Sequence, residues 1–222
     1  MRVFVVYWHP EPQSFNAAMF RTALESLSAA GHEVAASDLW AMGFEAASSR
    51  TNFTSLRDAG FFKPQAEEML ASETGGFATE IEAELRKLEA CDLMILQFPL
   101  WWFGLPAVLK GWVDRVFAMG RIYGGGRLYE KGILRGKRAM LSLTTGGPQA
   151  TYTRGGMHGD LMGILRPIHR GILQFVGFDV LAPHVVYGPA RMTAEERQAQ
   201  LAAYAERLKA IDKEEPIEVG EY

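Results

Sequence analysis

Short uninterrupted apolar runs alternate along the chain with longer segments in which apolar residues return every three or four positions. Runs of the first kind are expected of strands buried on both faces of a parallel sheet, and the second pattern of helices packed against it. Val3–Tyr7 opens the series as a strand. After a polar turn, Ser14 offers an N-cap to a helix over Phe15–Ala30, which Gly31 closes. Glu33–Leu39 reads as a second strand and Thr79–Glu89 as a charged amphipathic helix. Leu93–Phe98 is the third strand, ended by Pro99, and Pro106 then sits where a helix's first turn tolerates a residue without an N–H. Leu105, Leu109, Trp112 and Val116 keep helical spacing behind it. Lys137–Leu143 supplies a fourth strand, Leu161 to about Val176 an apolar helix bent or broken at Pro167, and Val180–Tyr187 a fifth strand. A last helix over Thr193–Ile211 is announced by Thr193-x-x-Glu196, a capping-box pattern. Residues 40–72 show no clear period and receive no element, although so long a loop implies function or irregular short elements.

Five strands alternating with five helices predict an α/β fold, a doubly wound five-stranded parallel sheet of flavodoxin-like order 2-1-3-4-5. Neither a repeat nor a linker interrupts residues 1–222, so one domain is expected. The chain has no GxGxxG and no GxxxxGK[ST], which disfavours a dinucleotide-binding Rossmann unit and a P-loop. In the expected topology three loops gather at the carboxyl edge: His9–Asn16, Pro99–Gly104 and Thr144–Asp160. The first brings hydroxyls, amides and a helix amino terminus where an anion can sit. The second brings Trp101, Trp102 and Phe103 in succession, a poor place to hide three rings in a core but a good wall for a flat aromatic ligand. In the third, Gly146 and Gly147 leave their N–H groups unobstructed. Tyr152 and His158 follow, a phenol that can donate and an imidazole that can accept a proton at neutral pH. Set against this is a plainer reading, in which the glycines make a turn and Tyr152 and His158 are ordinary surface residues. Gly124–Gly126, flanked by Tyr123 and Tyr129, reads as a flexible hairpin or lid.

Three separate stretches carry a family resemblance. FPLWWFGLPAVLKGWVDRVF (98–117), HPEPQSFN (9–16) and LTTGG (143–147) followed by Tyr152, His158, Gly159 and Asp160 resemble the DT-diaphorase family of flavin-dependent NAD(P)H:quinone oxidoreductases in residue type, spacing and order. The resemblance implies a homodimer binding FAD, with active sites at the subunit interface; the sequence alone leaves FMN open as the less favoured alternative. It places His9, Phe15 and Asn16 at the cofactor's phosphates and ribose, and Arg197 near its adenine. It places Leu100, Trp101, Trp102, Phe103, Thr144, Thr145, Gly146, Gly147 and Tyr152 around the flavin ring. Trp102, Phe103, Tyr123, Gly125, Tyr152 and His158 should line the space where nicotinamide and quinone bind in turn. The implied reaction is ping-pong: a hydride passes from NAD(P)H to flavin N5, then two electrons pass together to a quinone, with Tyr152 and His158 as the catalytic proton relay. A second reading of the same resemblance is a flavin-bearing regulatory subunit of a potassium-efflux system, and a plain flavodoxin carrier ranks third. Three departures stand out. Trp101 replaces a glutamine of the family, Gly125 replaces a gating tyrosine, and the C-terminal extension is missing. A shorter-tailed sister quinone reductase prefers small dihydronicotinamide donors, so the donor is open among NADH, NADPH and these.

Composition narrows the remaining classes. A formal charge of -3 with no basic cluster argues against a nucleic-acid partner. At 222 residues roughly 70–75% of the unfolded surface can be buried, enough for one core. The single cysteine, Cys91, forms no internal disulfide and reads as a small buried hydrophobe. The five histidines are scattered without ligand spacing, so no metal is expected. The first strand is too short for a signal peptide or membrane span, and a soluble cytoplasmic protein is the expectation.

Overall fold

The computed structural model describes residues 1–220. Its sheet runs in the order β2-β1-β3-β4-β5, with β6 also pairing β4, and every pairing is parallel. The strands are β1 (Arg2–Tyr7), β2 (Glu33–Asp38), β3 (Leu93–Pro99), β4 (Arg138–Thr145), β5 (Asp179–Val180) and β6 (His184–Tyr187). The helices are α1 (Phe15–Ala29), α2 (Pro64–Thr74), α3 (Thr79–Ala90), α4 (Ala107–Val116), α5 (Leu161–Ile168) and α6 (Ala194–Lys209). β3 lies at the centre between β1 and β4, in register Val5↔Ile95 and Ile95↔Met140. All seven of its residues are buried, Gln97 included, as expected of a strand at the centre of a parallel sheet.

Side chains alternate between the two faces. Val3, Val5, Ile95 and Met140 pack under α1 and α6, while Phe4, Val6, Met94, Leu96 and Leu141 pack under α3, α4 and α5. Fully buried Phe4 and Trp112 meet edge-on with ring centroids 5.9 Å apart, each contributing about 2–3 kcal/mol by leaving water. Cys91 lies buried at the end of α3, where burial pushes its thiol up to about 11 and removes it as a nucleophile at neutral pH.

The predicted fifth strand is broken in two. β5 and β6 both align on β4, separated by Leu181–Pro183; Pro183 has no N–H to give a ladder. The helix after Asp160 does not stop at Pro167. It runs on from α5 into a wider π turn over His169–Leu173 and a tight turn over Gln174–Val176, which Gly177 closes at φ 105°. Residues 40–72, left without an element above, hold a short 3-10 turn at Arg50–Asn52 and most of α2. Arg115 of α4, 2% exposed, pins this segment through Asn52 Oδ1 (2.7 Å) and the Glu45 carbonyl while pairing with Glu80 of α3 (2.6 Å). At Gly111 the approach is so close that a Cβ would lie 2.2 Å from the Ala46 carbonyl oxygen. Alanine there would force the segment away.

Candidate active site

The carboxyl ends of β1, β3 and β4 open onto a cleft of about 740 Å³, within the range of small-molecule sites. Its floor is formed at the amino end of α1. Ser14 caps that helix by accepting the Ala17 N–H at 3.1 Å, and the preceding N–H groups have no intrahelical partner, so they and the helix dipole favour an anion. Asn16 is 3% exposed and ties two loops together: it donates to Thr144 Oγ1 at 2.7 Å and accepts from Gln97 Nε2 at 2.7 Å. His9 stands at the mouth. Its Nδ1 lies 3.0 Å from the Glu11 backbone nitrogen and 3.2 Å from the Glu11 carbonyl oxygen, and burial lowers its pKa against the opposing pull of Glu11. Leu100, Trp101, Thr144, Thr145 and Gly146 form the opposite wall, and Gly188–Ala190 and Arg197 extend the cleft toward α6. Trp101 meets Trp8 edge-on at 5.2 Å and His9 at 6.2 Å.

Beyond Gly146 the surface changes character. Trp102 is 98% exposed and Phe103 48%, so neither is core packing. Both have positive φ, 50° and 59°, in a turn clasped by the Gly104 N–H on the Trp101 carbonyl at 3.0 Å. Two bulky residues held left-handed cost on the order of 1–3 kcal/mol each, a strain found at working sites. Leu100 N–H bonds the Thr144 carbonyl at 2.8 Å and locks this turn to the end of β4. Phe103 meets the His158 ring at 5.5 Å, and His158 meets the Tyr152 ring at 4.9 Å. At Gly147 a Cβ would lie 2.9 Å from Thr151 Oγ1 and 3.3 Å from the Tyr152 ring, so a side chain there would push these neighbours aside. Gly146 differs: a Cβ there meets no protein atom within 4 Å.

Of the residues named from sequence, His9, Phe15, Asn16, Leu100, Trp101, Thr144, Thr145, Gly146 and Arg197 line the cleft. Phe103, Gly147, Tyr152 and His158 cluster beyond it, with Trp102 on the adjoining turn. Tyr123 and Gly125 are not brought to this cluster by their own chain. Tyr123 instead accepts from Gln65 Nε2 of α2 at 3.2 Å and packs on Phe175 at 5.8 Å. Sequence reasoning missed Gln97, although a lone amide inside the apolar run Leu93–Phe98 was a visible signal. It also missed Gly188–Ala190 and Gln198, which carry no such mark, and Tyr187, whose ring lies 6.0 Å from Tyr152.

Known proteins resemble this chain over nearly all of its length. A family model described as a flavodoxin-like fold matches residues 1–211. Ribosyldihydronicotinamide dehydrogenase [quinone] of Rattus norvegicus is 43% identical over 217 residues, 97% of this chain and 94% of its own length. NAD(P)H dehydrogenase [quinone] 1 of the same species is 43% identical over 97% of this chain and 79% of its own. A crystal structure from Klebsiella pneumoniae, described as a candidate quinone reductase, superposes with a TM-score of 0.93 at 41% identity, covering 98% of this chain and 87% of that one. The chain therefore belongs to the flavodoxin-like family of quinone dehydrogenases, and it is an oxidoreductase.

Proposed function

We propose that this oxidoreductase holds FAD in the 740 Å³ cleft, acts as a homodimer, and carries electrons from NAD(P)H to a quinone in two separate half-reactions. One arrangement carries the reading: an anion-ready helix terminus at one end of the cleft and the Phe103–His158–Tyr152 ring cluster against Gly147 at the other. A flavin nucleotide fits that polarity, with phosphates at the amino end of α1 and the ring beside Trp101 and the open backbone of Gly146. The cleft also continues past α1 to Arg197 and Gln198, which favours the longer FAD over FMN.

Bound there, the flavin supplies hydride acceptance from a reduced nicotinamide and two-electron donation to a quinone. The chain's own contribution is electrostatic and protonic. His9 and the first-turn N–H groups of α1 hold negative phosphate oxygens. Backbone N–H groups of Gly146 and Gly147 stand ready for the negative charge that reduction brings, already oriented and needing no rearrangement. Tyr152 Oη donates toward the same charge, and the adjoining His158 exchanges the proton with it. Trp102 and Phe103 give the nicotinamide and quinone an apolar face to stack on and exclude water from the transfer. Their exposure in one chain, and the position of Tyr123 and Gly125 away from them, support a second copy that covers the rim and contributes that hairpin. The regulatory-subunit reading gains no support from the relatives found. The test is to release the bound chromophore by heat and identify it by mass: FAD is expected, and FMN or no flavin overturns the cofactor assignment.

A further inference from the structure

Each turnover of the proposed reaction consumes a proton, since NAD(P)H, a quinone and H⁺ give NAD(P)⁺ and a hydroquinone. Ligands stacked on Trp102 and Phe103 would close the rim, while Tyr152 is only 8% exposed. His158, which exchanges a proton with Tyr152, packs against Phe103 and would be covered with it, so the relay needs another route to water. Tyr152 does not line the 740 Å³ cleft; it lines a separate one of about 440 Å³ between the 149–160 loop and the outer strand β6. Among the described residues, the other titratable groups lining that second cleft are Tyr187, Asp160 and Arg154. The Tyr187 ring lies 6.0 Å from that of Tyr152, centroid to centroid, tilted by 45°. Asp160 is exposed, and one of its carboxylate oxygens, Oδ2, accepts the Gly163 N–H at 3.0 Å as the cap of α5.

We propose that Tyr187 is a proton-delivering residue that reloads Tyr152 from solvent through this second cleft, so that the relay works while the rim is covered. The inference rests on the reading of Tyr152 as the proton donor. Tyr152 Oη loses its proton to the reacting oxygen, and Tyr187 Oη returns one to Tyr152 through water in the cleft. Tyr187 then recovers a proton from solvent at the mouth beside Asp160, and no electron moves in these steps. The Tyr187 phenol is suited to passing protons without resting as a phenolate. Burial chiefly, then the negative charges of Asp160 and an ionised Tyr152, raise its pKa.

The test mixes reduced holoenzyme with a quinone under anaerobic conditions, in H₂O and in D₂O, for the wild type, Tyr187→Phe and Tyr152→Phe. Tyr187→Phe keeps the ring that packs on Tyr152 and removes only the hydroxyl. We expect reoxidation slowed by about tenfold or more with a larger solvent isotope effect, as for loss of a proton-transfer group. A wild-type rate and isotope effect in Tyr187→Phe, with Tyr152→Phe slow, overturns this inference alone. Full speed in Tyr152→Phe removes the donor reading and this inference with it. A purely structural Tyr187 would lower the melting temperature without changing the isotope effect, which also overturns the proposal. Should Tyr187→Phe fail to retain flavin, Asp160→Asn decides: it preserves the α5 cap, and an unchanged isotope effect there counts against the route.

Discussion

The two ends of the site are built differently. At the cleft end Asn16, Gln97 and Thr144 form a buried chain of hydrogen bonds, and each wall is fixed by the same chain. At the rim, Trp102 and Phe103 stand in solvent on a strained turn, and the hairpin with Tyr123 and Gly125 lies elsewhere. A cofactor that stays bound needs a preorganised pocket, whereas substrates that alternate at one position need a surface that opens and closes. On the proposed reading, the difference gives cofactor binding to the cleft and turnover to the rim.

Changing the rim's chemistry should have the largest effect. Tyr152→Phe combined with His158→Gln should leave flavin bound and slow its reduction by NAD(P)H on the order of 100-fold or more, equivalent to ~2.7–4 kcal/mol for a lost donor to developing charge. Rapid-mixing absorbance reads this directly, and a hydride step at full speed would end the relay assignment. Acid should act next, through the helix that supports the rim. His169 is fully buried with neither ring nitrogen partnered among the described residues, and burial lowers its pKa to about 4. Between the ordinary value and that one the unfolded chain binds the extra proton, so stability is intact above about pH 6.5 and falls by about 3 kcal/mol on descending to pH 4. Urea melts across that range check it, and His169→Gln should flatten the slope.

Asn16→Ala breaks the cleft instead. It strands Gln97 and Thr144 in the interior, with an expected loss of about 2 kcal/mol in denaturant melts of the flavin-free protein and weaker flavin retention in equilibrium dialysis. Unaltered retention would mean the hydrogen-bonded wall does not shape the cofactor site. Trp102→Ala should have the smallest effect on the isolated chain, within about 0.5 kcal/mol for so exposed a side chain. It should instead weaken self-association and raise the KM for quinone, measured by sedimentation and steady-state kinetics; a stability loss like that of Asn16→Ala would erase the contrast between the two ends.

The cleft end was largely legible in the sequence because its determinants are local. Ser14 caps α1, Pro99 ends β3, and the Thr193–Glu196 capping box starts α6, each where the pattern placed it. α2 was not legible, though Pro64 and Gly75 bracket it as start and stop. Its buried face carries Glu67 and Glu68, whose carboxylates accept the backbone N–H groups of Arg57 and Met119, so charged residues occupy positions where a helical period would show apolar ones. Burial raises the Glu68 pKa accordingly. The position of Tyr123 was illegible for the same reason, since its partner Gln65 sits on that helix, 58 residues away in sequence. The break at Pro183 was visible as a proline inside a predicted strand, and Pro167 marked the irregularity of the helix that contains it, though not that a π turn would follow.

The central claim is that this chain grips a flavin between α1, the Trp101–Phe103 turn and the Thr144–Gly147 loop, and uses it to move electron pairs from nicotinamide to quinone. An anaerobic spectral titration of the purified protein tests it most directly. The account expects a yellow chromophore that bleaches with one equivalent of NADH, NADPH or a smaller dihydronicotinamide, and returns in full on adding one equivalent of quinone. A colourless protein that takes up no added flavin, or a bound flavin that no dihydronicotinamide reduces, would contradict it.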